Sequence, residues 1–483
     1  MKHENDVKQR ALAGMIWKLL EKVGYQVISI VVQIILARIL LPSDYGLIGY
    51  LTVFIAILDI FIQQGFSSAL IQKEKIDDVD CSSVFYANIV LSIVLYGAMY
   101  LCAPLIADFF SEEKLILIAR VLSLNVIIGS LGAVHNALLS KELDFKKSFF
   151  RSLSNVLTYG LVGIVLAKNG FGVWSLVFAK LIGQFVGSAT LWITVNWHPT
   201  LDFSINRLNS LFRFSSKLLG TNLLNTIFNN INSLIIGRYY TPSDLGYFQR
   251  GQSIPQAMMT SVDGSMTEVM YPTFSLLQTD LVKLKSALRR SMTLSMYVCA
   301  PLLIGLIVVA KPLTLFLLTD KWIESVPYMQ LTCVICLFWP LSARTHALNA
   351  LGKSGLTFKL SLVSKLLTLI FLILLVKFGV LAIMYGTIAS SLICFFIVSY
   401  FVDRIIGYSL VELIKDIMPG MLASVVMGII VYSITLFDFS PWLTLLIQIP
   451  LGILIYIAES KIFKIDSFSY ILSLIEGYLK NEH

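Results

Sequence analysis

Long apolar segments recur along the whole chain and constrain its fold more than any other feature. Each contains about 20 residues or more, the length that a helix needs to cross the hydrocarbon core of a bilayer. Hydrophobic residues make up 57% of the chain and charged residues only 14%, an excess that one water-soluble core cannot bury. Fourteen such segments lie at 13–40, 46–70, 82–106, 115–139, 149–167, 171–195, 211–237, 245–275, 292–318, 325–351, 357–377, 379–402, 412–436 and 440–459. The sequence therefore predicts an all-α polytopic membrane protein with 14 transmembrane helices.

The Lys and Arg residues are distributed unevenly among the connections between these segments. If the amino terminus lies in the cytoplasm, the cytoplasmic connections hold about three times as many Lys and Arg residues as the outer ones. Because positive loops stay on the cytoplasmic side, we expect both termini to be cytoplasmic. The net charge of +8 then reflects loops that face anionic lipid rather than a surface for nucleic acid.

One short turn occurs twice, as RILLPSDYG from Arg38 to Gly46 and as RYYTPSDLG from Arg238 to Gly246. Six predicted helices separate the copies, so both fall on the outer side of the membrane. The Arg suits the carbonyl end of a helix, Pro is expected to stop that helix, and Ser or Asp can cap the next one. The recurrence predicts two six-helix halves in parallel orientation, followed by two further helices.

This internal repeat predicts four parts of the chain. We expect an N-terminal lobe of helices one to six at 1–200 and a C-terminal lobe of helices seven to twelve at 201–405. Helices thirteen and fourteen would occupy 406–460, and a cytoplasmic tail would occupy 461–483. A pseudo-two-fold axis near the membrane normal would relate the two lobes.

Amide side chains line one face of the seventh predicted helix. The row is formed by Asn222, Asn225, Asn229 and Asn232. Their spacing of three, four and three residues places them on the same side of a helix. Because unpaired amides that face lipid are costly, this face is expected to contact protein or water.

Polar residues also line the first and eighth predicted helices. They are Lys18, Lys22, Tyr25, Gln26 and Ser29 in the first helix and Arg250, Gln252 and Gln256 in the eighth. We interpret these faces as the lining of a hydrated central cavity, in which Lys and Arg bind an anionic head group such as a phosphate. Interhelical hydrogen bonding is the alternative explanation for the polar faces. A local ion pair with Glu21 is the alternative role for Lys18.

Three carboxylates within predicted helices are candidates for binding a coupling ion, H⁺ or Na⁺: Glu21, Asp59 and Asp263. Structural ion pairs are the alternative role for each. No cofactor or metal site is indicated, because Cys333 and Cys336 stand in an apolar helix with no second Cys or His pair beside them. The chain also has no P-loop, no G-x-S-x-G motif and no large loop, so we expect it not to be an enzyme.

Several stretches of the chain resemble one known family. ILARILLPSDYGLIGYLTVF follows a helix that begins GMIWKLLEKVG and is followed by DIFIQQGFSSALIQKEK. The stretches LDFKKSFF, GFGVWSLV and GYFQRGQSIPQ continue the likeness, which extends over most of the chain. In these stretches the sequence is similar to the polysaccharide transport family. These proteins are the Wzx-type and WzxC-like flippases of the multidrug/oligosaccharidyl-lipid/polysaccharide (MOP) superfamily.

The resemblance implies alternating access without ATP hydrolysis in a bacterial plasma (inner) membrane. The substrate would be an oligosaccharide repeat unit linked to polyprenyl pyrophosphate, destined for O-antigen, capsule or exopolysaccharide. Membrane lipids, a polysaccharide polymerase and chain-length machinery would be its partners. By the same resemblance Lys18, Lys22 and Arg250 would lie in the cavity, although the second helix offers only Asp59 where related lipid flippases place a cation. Helices thirteen and fourteen would guide the lipid tail.

Two other functions stay open. A drug or cation antiporter of the same superfamily is expected to have an acidic and aromatic cavity, whereas the predicted cavity is cationic and rich in amides. A membrane enzyme of polysaccharide assembly would usually need a sizeable loop for its sugar chemistry, and the connections in this chain are short.

Overall fold

The computed structural model describes residues 2–73 and 76–481. Side chains are described throughout these ranges except at 2–16, 19, 64, 213–214, 217–218, 261, 263, 265–269 and 474–481. All regular structure in the described ranges is helical. Among the predicted site residues, Asp263 lies outside the described side chains.

Two compact units divide between Gly246 and Tyr247. The first unit contains α1 (Lys2–Ile39), α2 (Pro42–Gln64), α3 (Phe66–Gln72), α4 (Asp78–Phe110), α5 (Lys114–Leu122), α6 (Leu124–Glu142), α7 (Phe145–Lys168), α8 (Val173–Thr194), α9 (Ile205–Asn229), α10 (Ile231–Tyr239) and the first turn of α11 (Pro242–Leu276). The second contains the rest of α11, α12 (Leu281–Leu318), α13 (Ser325–Cys336), α14 (Ala343–Ala350), α15 (Ser354–Leu375), α16 (Val380–Ile406), α17 (Leu410–Ser433), α18 (Pro441–Ile462) and α19 (Asp466–Asn481). The division into lobes at 200–201 and a separate pair of last helices stays a prediction.

Within the described residues, 12 helical segments are long and apolar enough to cross a membrane. They correspond to all the predicted segments except the seventh and eighth, at 211–237 and 245–275. Those two are also helical, as α9, α10 and α11, and they are the segments that carry the amide-rich faces. The expected all-helical, multi-pass membrane fold is therefore confirmed, whereas the number of 14 spans stays a prediction.

In the first unit, α7 packs against α1 and α8, and α6 packs against α4 and α8. Helix α9 lies along α2, α3 and α4, and α10 contacts α2 and α4. In this unit, three observed breaks interrupt segments that were predicted to be continuous helices: α2 ends before Gly65, α5 ends before Ser123, and α9 ends before Asn230. At the break, the side-chain Nδ2 of Asn230 donates a hydrogen bond to the carbonyl of Thr226 at 2.8 Å, in the last turn of α9.

In the second unit, α12 is the central helix and packs against α13, α17 and α18. Two buried tyrosines fasten α12 to α18, because Tyr297 donates to Ser460 Oγ at 2.7 Å and Tyr456 donates to the Tyr297 carbonyl at 2.8 Å. Helices α15 and α16 form a second packed pair, and α16 also contacts α13.

The two copies of the repeated turn have the same local structure. Pro42 is the first residue of α2 and Pro242 the first of α11, so each Pro begins a helix rather than stopping the preceding one as expected. This position suits Pro because the first helical N–H has no intrahelical acceptor. In both copies the expected Asp cap is present: Asp44 accepts from Leu41 N at 3.0 Å, and Asp244 accepts from Thr241 N at 3.0 Å.

Candidate functional site

The polar face of α1 is largely open in the structure. Lys22 is exposed, and 42% of Tyr25 is accessible. Gln26 is half-buried, and Ser29 accepts a hydrogen bond from Gln33 Nε2 at 3.0 Å. Lys22 and Tyr25 are therefore accessible on α1, although α1 also packs against α7.

Glu21, by contrast, joins α1 to its neighbour. Its carboxylate accepts hydrogen bonds from Ser148 Oγ at 2.9 Å and Ser152 Oγ at 2.8 Å, both on α7. Lys18 Nζ lies 3.0 Å from the second carboxylate oxygen, which is the local ion pair that the sequence offered as the alternative for Lys18. The side chain of Glu21 is only 12% exposed, so the carboxylate is enclosed by its partners.

Two hydroxyls and a guanidinium on α7 were missed by the sequence reasoning. Ser148 and Ser152 hold Glu21, and Arg151 between them lies close enough to Glu21 and Tyr25 for electrostatic interaction. A pair of serines four residues apart is a weak signal in a sequence. Only the packing of α7 on α1 shows what these side chains contact.

The amide row on α9 is partly preserved. Asn222 is half-buried, and Asn225 and Asn229 are exposed on the same side of the helix. The break at Asn230 places Asn232 in α10, beyond the end of the row. The Oδ1 atom of Asn232 is buried and has no hydrogen-bond donor among the described residues.

Helix α9 is tethered to its neighbours near its beginning. Arg207 donates to both carboxylate oxygens of Asp77, and its Nη1 lies 3.4 Å from Asp80. Lys73 pairs with Asp80 at 2.5 Å. The Arg207 guanidinium lowers the pKa of Asp77 to about 2. These four residues connect the loop before α4 to the first turn of α9.

A second tether lies beyond α10. Tyr50 of α2 donates to the Tyr240 carbonyl at 3.3 Å, and its ring stacks on Phe110 with 4.5 Å between centroids. Arg238 Nη1 donates to Ser111 Oγ at 3.4 Å, and its guanidinium lies 5.4 Å from the Phe109 ring. The α9–α10 segment is therefore bound to the remainder of the first unit near both ends.

The predicted residues of α11 lie in the second unit. Arg250 is buried, with 7% of its surface exposed, and its guanidinium lies 5.7 Å from the centre of the Trp322 ring. Gln252 and Gln256 are half-buried. The placement of Arg250 differs from that of Lys22, because the guanidinium packs on an aromatic ring rather than standing on an open face.

Asp59 on α2 is half-buried and lies close enough to Lys180 on α8 for electrostatic interaction. Both residues are within predicted transmembrane helices, where an unpaired charge is costly. The sequence singled out Asp59 but could not show which cation it meets.

The structural comparisons show the fold. The inward closed conformation of the lipid II flippase MurJ matches with a TM-score of 0.74 and 17% identity, over 94% of this chain and 99% of that chain. An inward-facing multidrug resistance transporter of the MATE family, in the MOP superfamily, matches with a TM-score of 0.62 and 17% identity, over 79% and 94%. The fold is therefore that of the MOP superfamily transporters.

The family comparison is more specific. Residues 35–327 match the family described as polysaccharide biosynthesis protein, and the chain belongs to this family. The resemblance noted in the sequence is thereby confirmed. Transport proteins of this superfamily are not enzymes, in agreement with the expectation from the sequence.

Three curated relatives extend over most of the chain. The teichuronic acid biosynthesis protein TuaB of Bacillus subtilis is 24% identical over 93% of this chain and 95% of its own length. The succinoglycan biosynthesis transport protein ExoT of Rhizobium meliloti is 27% identical over 83% and 80%. The lipopolysaccharide biosynthesis protein WzxC of Escherichia coli is 25% identical over 68% of each chain.

Proposed function

We propose that this protein is a flippase for lipid-linked oligosaccharides. It would move repeat units carried on polyprenyl pyrophosphate across the bacterial plasma membrane by alternating access between two six-helix lobes. Fourteen spans with both termini in the cytoplasm complete the proposed topology. Family membership and relatives named for teichuronic acid, succinoglycan and lipopolysaccharide biosynthesis support this class of substrate.

The observation that carries the proposal is the pair of exposed amides on α9. Asn225 and Asn229 stand on one side of a helix in a membrane protein, and both are exposed. Amide groups that face hydrocarbon are costly, so this side of the helix is expected to meet water or a polar ligand. An amide both donates and accepts, which matches the hydroxyl groups of a sugar.

The cations of α1 complement this face. Lys22 is exposed and would neutralise part of the pyrophosphate charge. Lys18 would contribute less, because it forms an ion pair with Glu21. Tyr25 and Gln26 follow along the same helix and would contact the head group. In the second unit, Arg250 packs on the Trp322 ring, whereas Gln252 and Gln256 are partly accessible and stay proposed contacts of the transported substrate.

Coupling to H⁺ or Na⁺ is assigned, within this proposal, to Asp59 rather than to Glu21. The oxygens of Glu21 are occupied by two hydroxyls and one ammonium group, so a passing ion would have to displace them. Asp59 interacts with a single described cation, Lys180. A change in the protonation of Asp59 would alter that interaction directly.

The test is a deletion strain in which the leaflet that holds the lipid-linked oligosaccharide is measured with a membrane-impermeant sugar-modifying probe. We expect complete repeat units to accumulate in the inner leaflet and surface polysaccharide to disappear. Restoring the gene should reverse both changes. Normal delivery of these lipids to the outer leaflet, in a strain without a second flippase gene, would contradict the proposal.

The amide face is tested with Asn225→Leu/Asn229→Leu in the restored strain. We expect normal membrane insertion and no transport, because the sugar hydroxyls lose their partners. Leu224→Ala/Ile227→Ala is the matched control, since both side chains are exposed on the same helix and are apolar. Normal transport by the Leu variant would contradict a role of these amides in sugar binding.

Resistance to cationic drugs is measured in the same strains. A multidrug antiporter of this superfamily would change drug resistance and leave the lipid-linked oligosaccharides in their usual leaflet. The two functions therefore give opposite results in the two assays.

A further inference from the structure

A cationic cavity of about 550 Å³ lies in the second unit and is lined by none of the predicted site residues. It is bordered by the beginning of α12, the beginning of α17 and the turn between α18 and α19. Its charged lining consists of Arg289, Arg290, Lys415, Lys464, Asp416 and Asp466. Because all of these segments are ends of apolar helices, the cavity lies at one edge of the membrane-spanning region.

The charges in this cavity are not balanced. Arg289 donates to Asp416, which also accepts from the Tyr408 hydroxyl at 2.8 Å, so this pair is internally satisfied. Arg290, Lys415 and Lys464 form no ion pair with any carboxylate in the described part of the chain. The lining thus keeps an excess of positive charge that an anion would neutralise.

Contacts with neighbouring helices fix the positions of two residues that line the cavity. Tyr297, which forms part of its lining, is fixed by the hydrogen bonds to Ser460 and Tyr456 described above. The Arg290 guanidinium lies 3.5 Å from the centre of the Tyr470 ring, on α19. This contact positions the guanidinium without neutralising it, because an aromatic ring carries no net charge. The Arg290 guanidinium is therefore already positioned to donate hydrogen bonds to an anion.

An apolar recess of about 660 Å³ adjoins the cationic cavity. The two share Lys415, Pro419 and Phe463 in their lining. Apart from Glu459, the rest of the recess is bordered by apolar side chains, among them Met418 and Leu422, both of which are exposed. An occupant of both spaces must have an anionic end and a hydrocarbon end.

One polar group lies inside this recess. Glu459 is 8% exposed, and its Oε2 atom has no hydrogen-bond donor among the residues with described side chains. A buried oxygen of this kind is normally paired. A hydroxyl group on the occupant, close to its anionic end, would supply the missing donor.

We propose that these two spaces form one binding site for an anionic membrane phospholipid. Its phosphate lies among Arg290, Lys415 and Lys464, and one acyl chain lies in the recess beside α17. Phosphatidylglycerol combines the required phosphate, hydroxyl groups and acyl chains. The site involves none of the residues assigned to the head group of the transported substrate.

The test uses the full-length protein in detergent, titrated with dioleoyl phosphatidylglycerol or dioleoyl phosphatidylcholine and followed by native mass spectrometry. We expect a preference of roughly tenfold for phosphatidylglycerol, as the excess positive charge requires. Arg290→Gln/Lys464→Gln should weaken phosphatidylglycerol binding by about twentyfold, since each basic residue near the phosphate contributes about fivefold. Lys415→Gln, with one charge removed, should weaken it by about fivefold.

The matched control is Lys283→Gln/Lys461→Gln, which removes two charges at the same membrane edge but outside the cavity lining. Its affinity should stay within about twofold of the wild type, because diffuse surface charge is screened. Equal binding of the two lipids, or an equal loss in the control variant, would overturn the proposal. Displacement of the lipid by glycerol 3-phosphate at equal concentration would show a site for soluble phosphates and overturn it as well.

Discussion

The carbonyl oxygen of Pro242 lies only 1.7 Å from the position that a Cβ atom on Gly46 would occupy. The relationship is reciprocal, because a Cβ atom on Gly246 would lie 2.1 Å from the carbonyl oxygen of Pro42. The two copies of the repeated turn therefore pack directly against each other. Each Gly is required by the partner turn, since only a residue without a side chain permits this approach.

Gly46→Ala is expected to disrupt this contact. The added methyl group would overlap a backbone oxygen, which cannot move away as a flexible side chain could, and overpacking of this kind costs roughly 1–3 kcal/mol. Thermal unfolding of the purified protein, followed by fluorescence-detected size exclusion, should show a lower midpoint. Gly97→Ala is the control, because a Cβ atom there has no neighbour within 4 Å. An unchanged midpoint for Gly46→Ala would contradict the packing of the two turns.

The contribution of the Arg207–Asp77 pair to stability should depend on pH in a defined direction. The folded pKa of Asp77, about 2, is below its ordinary value of about 4, so the pair stabilises the fold above about pH 4. This stabilisation is lost as the pH falls through about 2. The difference in unfolding midpoint between wild type and Arg207→Gln should therefore be constant near neutrality and shrink below about pH 4.

The neighbouring variant Asn206→Ala serves as the control, since it changes an exposed side chain in the same helical turn without removing a charge. High salt should also reduce the effect of Arg207→Gln, because the pair is accessible to solvent. A difference that persisted undiminished to pH 2 would show that Arg207 acts through packing rather than through the carboxylate of Asp77.

Glu21 can be assigned a structural or an ion-coupling role with two substitutions. Glu21→Gln keeps an oxygen that accepts from Ser148 and Ser152, so we expect near-normal transport and stability. Glu21→Leu removes every acceptor and should destabilise the protein by about 1–3 kcal/mol, because the two hydroxyls are left without partners. Transport is measured with the leaflet assay. Loss of transport in Glu21→Gln with a normal unfolding midpoint would instead assign ion coupling to Glu21.

The sequence was sufficient for those features that depend on local chemistry. The apolar segments predicted the helices, and the Pro-Ser-Asp order predicted the Asp44 and Asp244 caps, because both signals act over a single turn of helix. The fold of the superfamily followed from the resemblance of several stretches. These features require no knowledge of which helix lies beside which.

The remaining features depend on contacts between segments that are distant in the sequence. An Asn can continue a helix or end it, so the break at Asn230, which separates Asn232 from the amide row, was not apparent. Arg250 was expected on an open face, but its position against Trp322 depends on how α11 packs in the second unit. The hydroxyls around Glu21 were missed for the same reason.

The Asp59–Lys180 interaction provides the most direct test of ion coupling. Asp59→Asn removes the opposite charge that interacts with Lys180 inside the first unit, which should destabilise the protein. Lys180→Met alone should be destabilising for the converse reason. The double variant, Asp59→Asn/Lys180→Met, should recover most of the lost stability, because neither charge then remains. If Asp59 couples an ion, the double variant should be stable but unable to accumulate substrate in the outer leaflet against a gradient. If the pair is structural, the stable double variant should transport normally, and the assignment of ion coupling to Asp59 would be wrong.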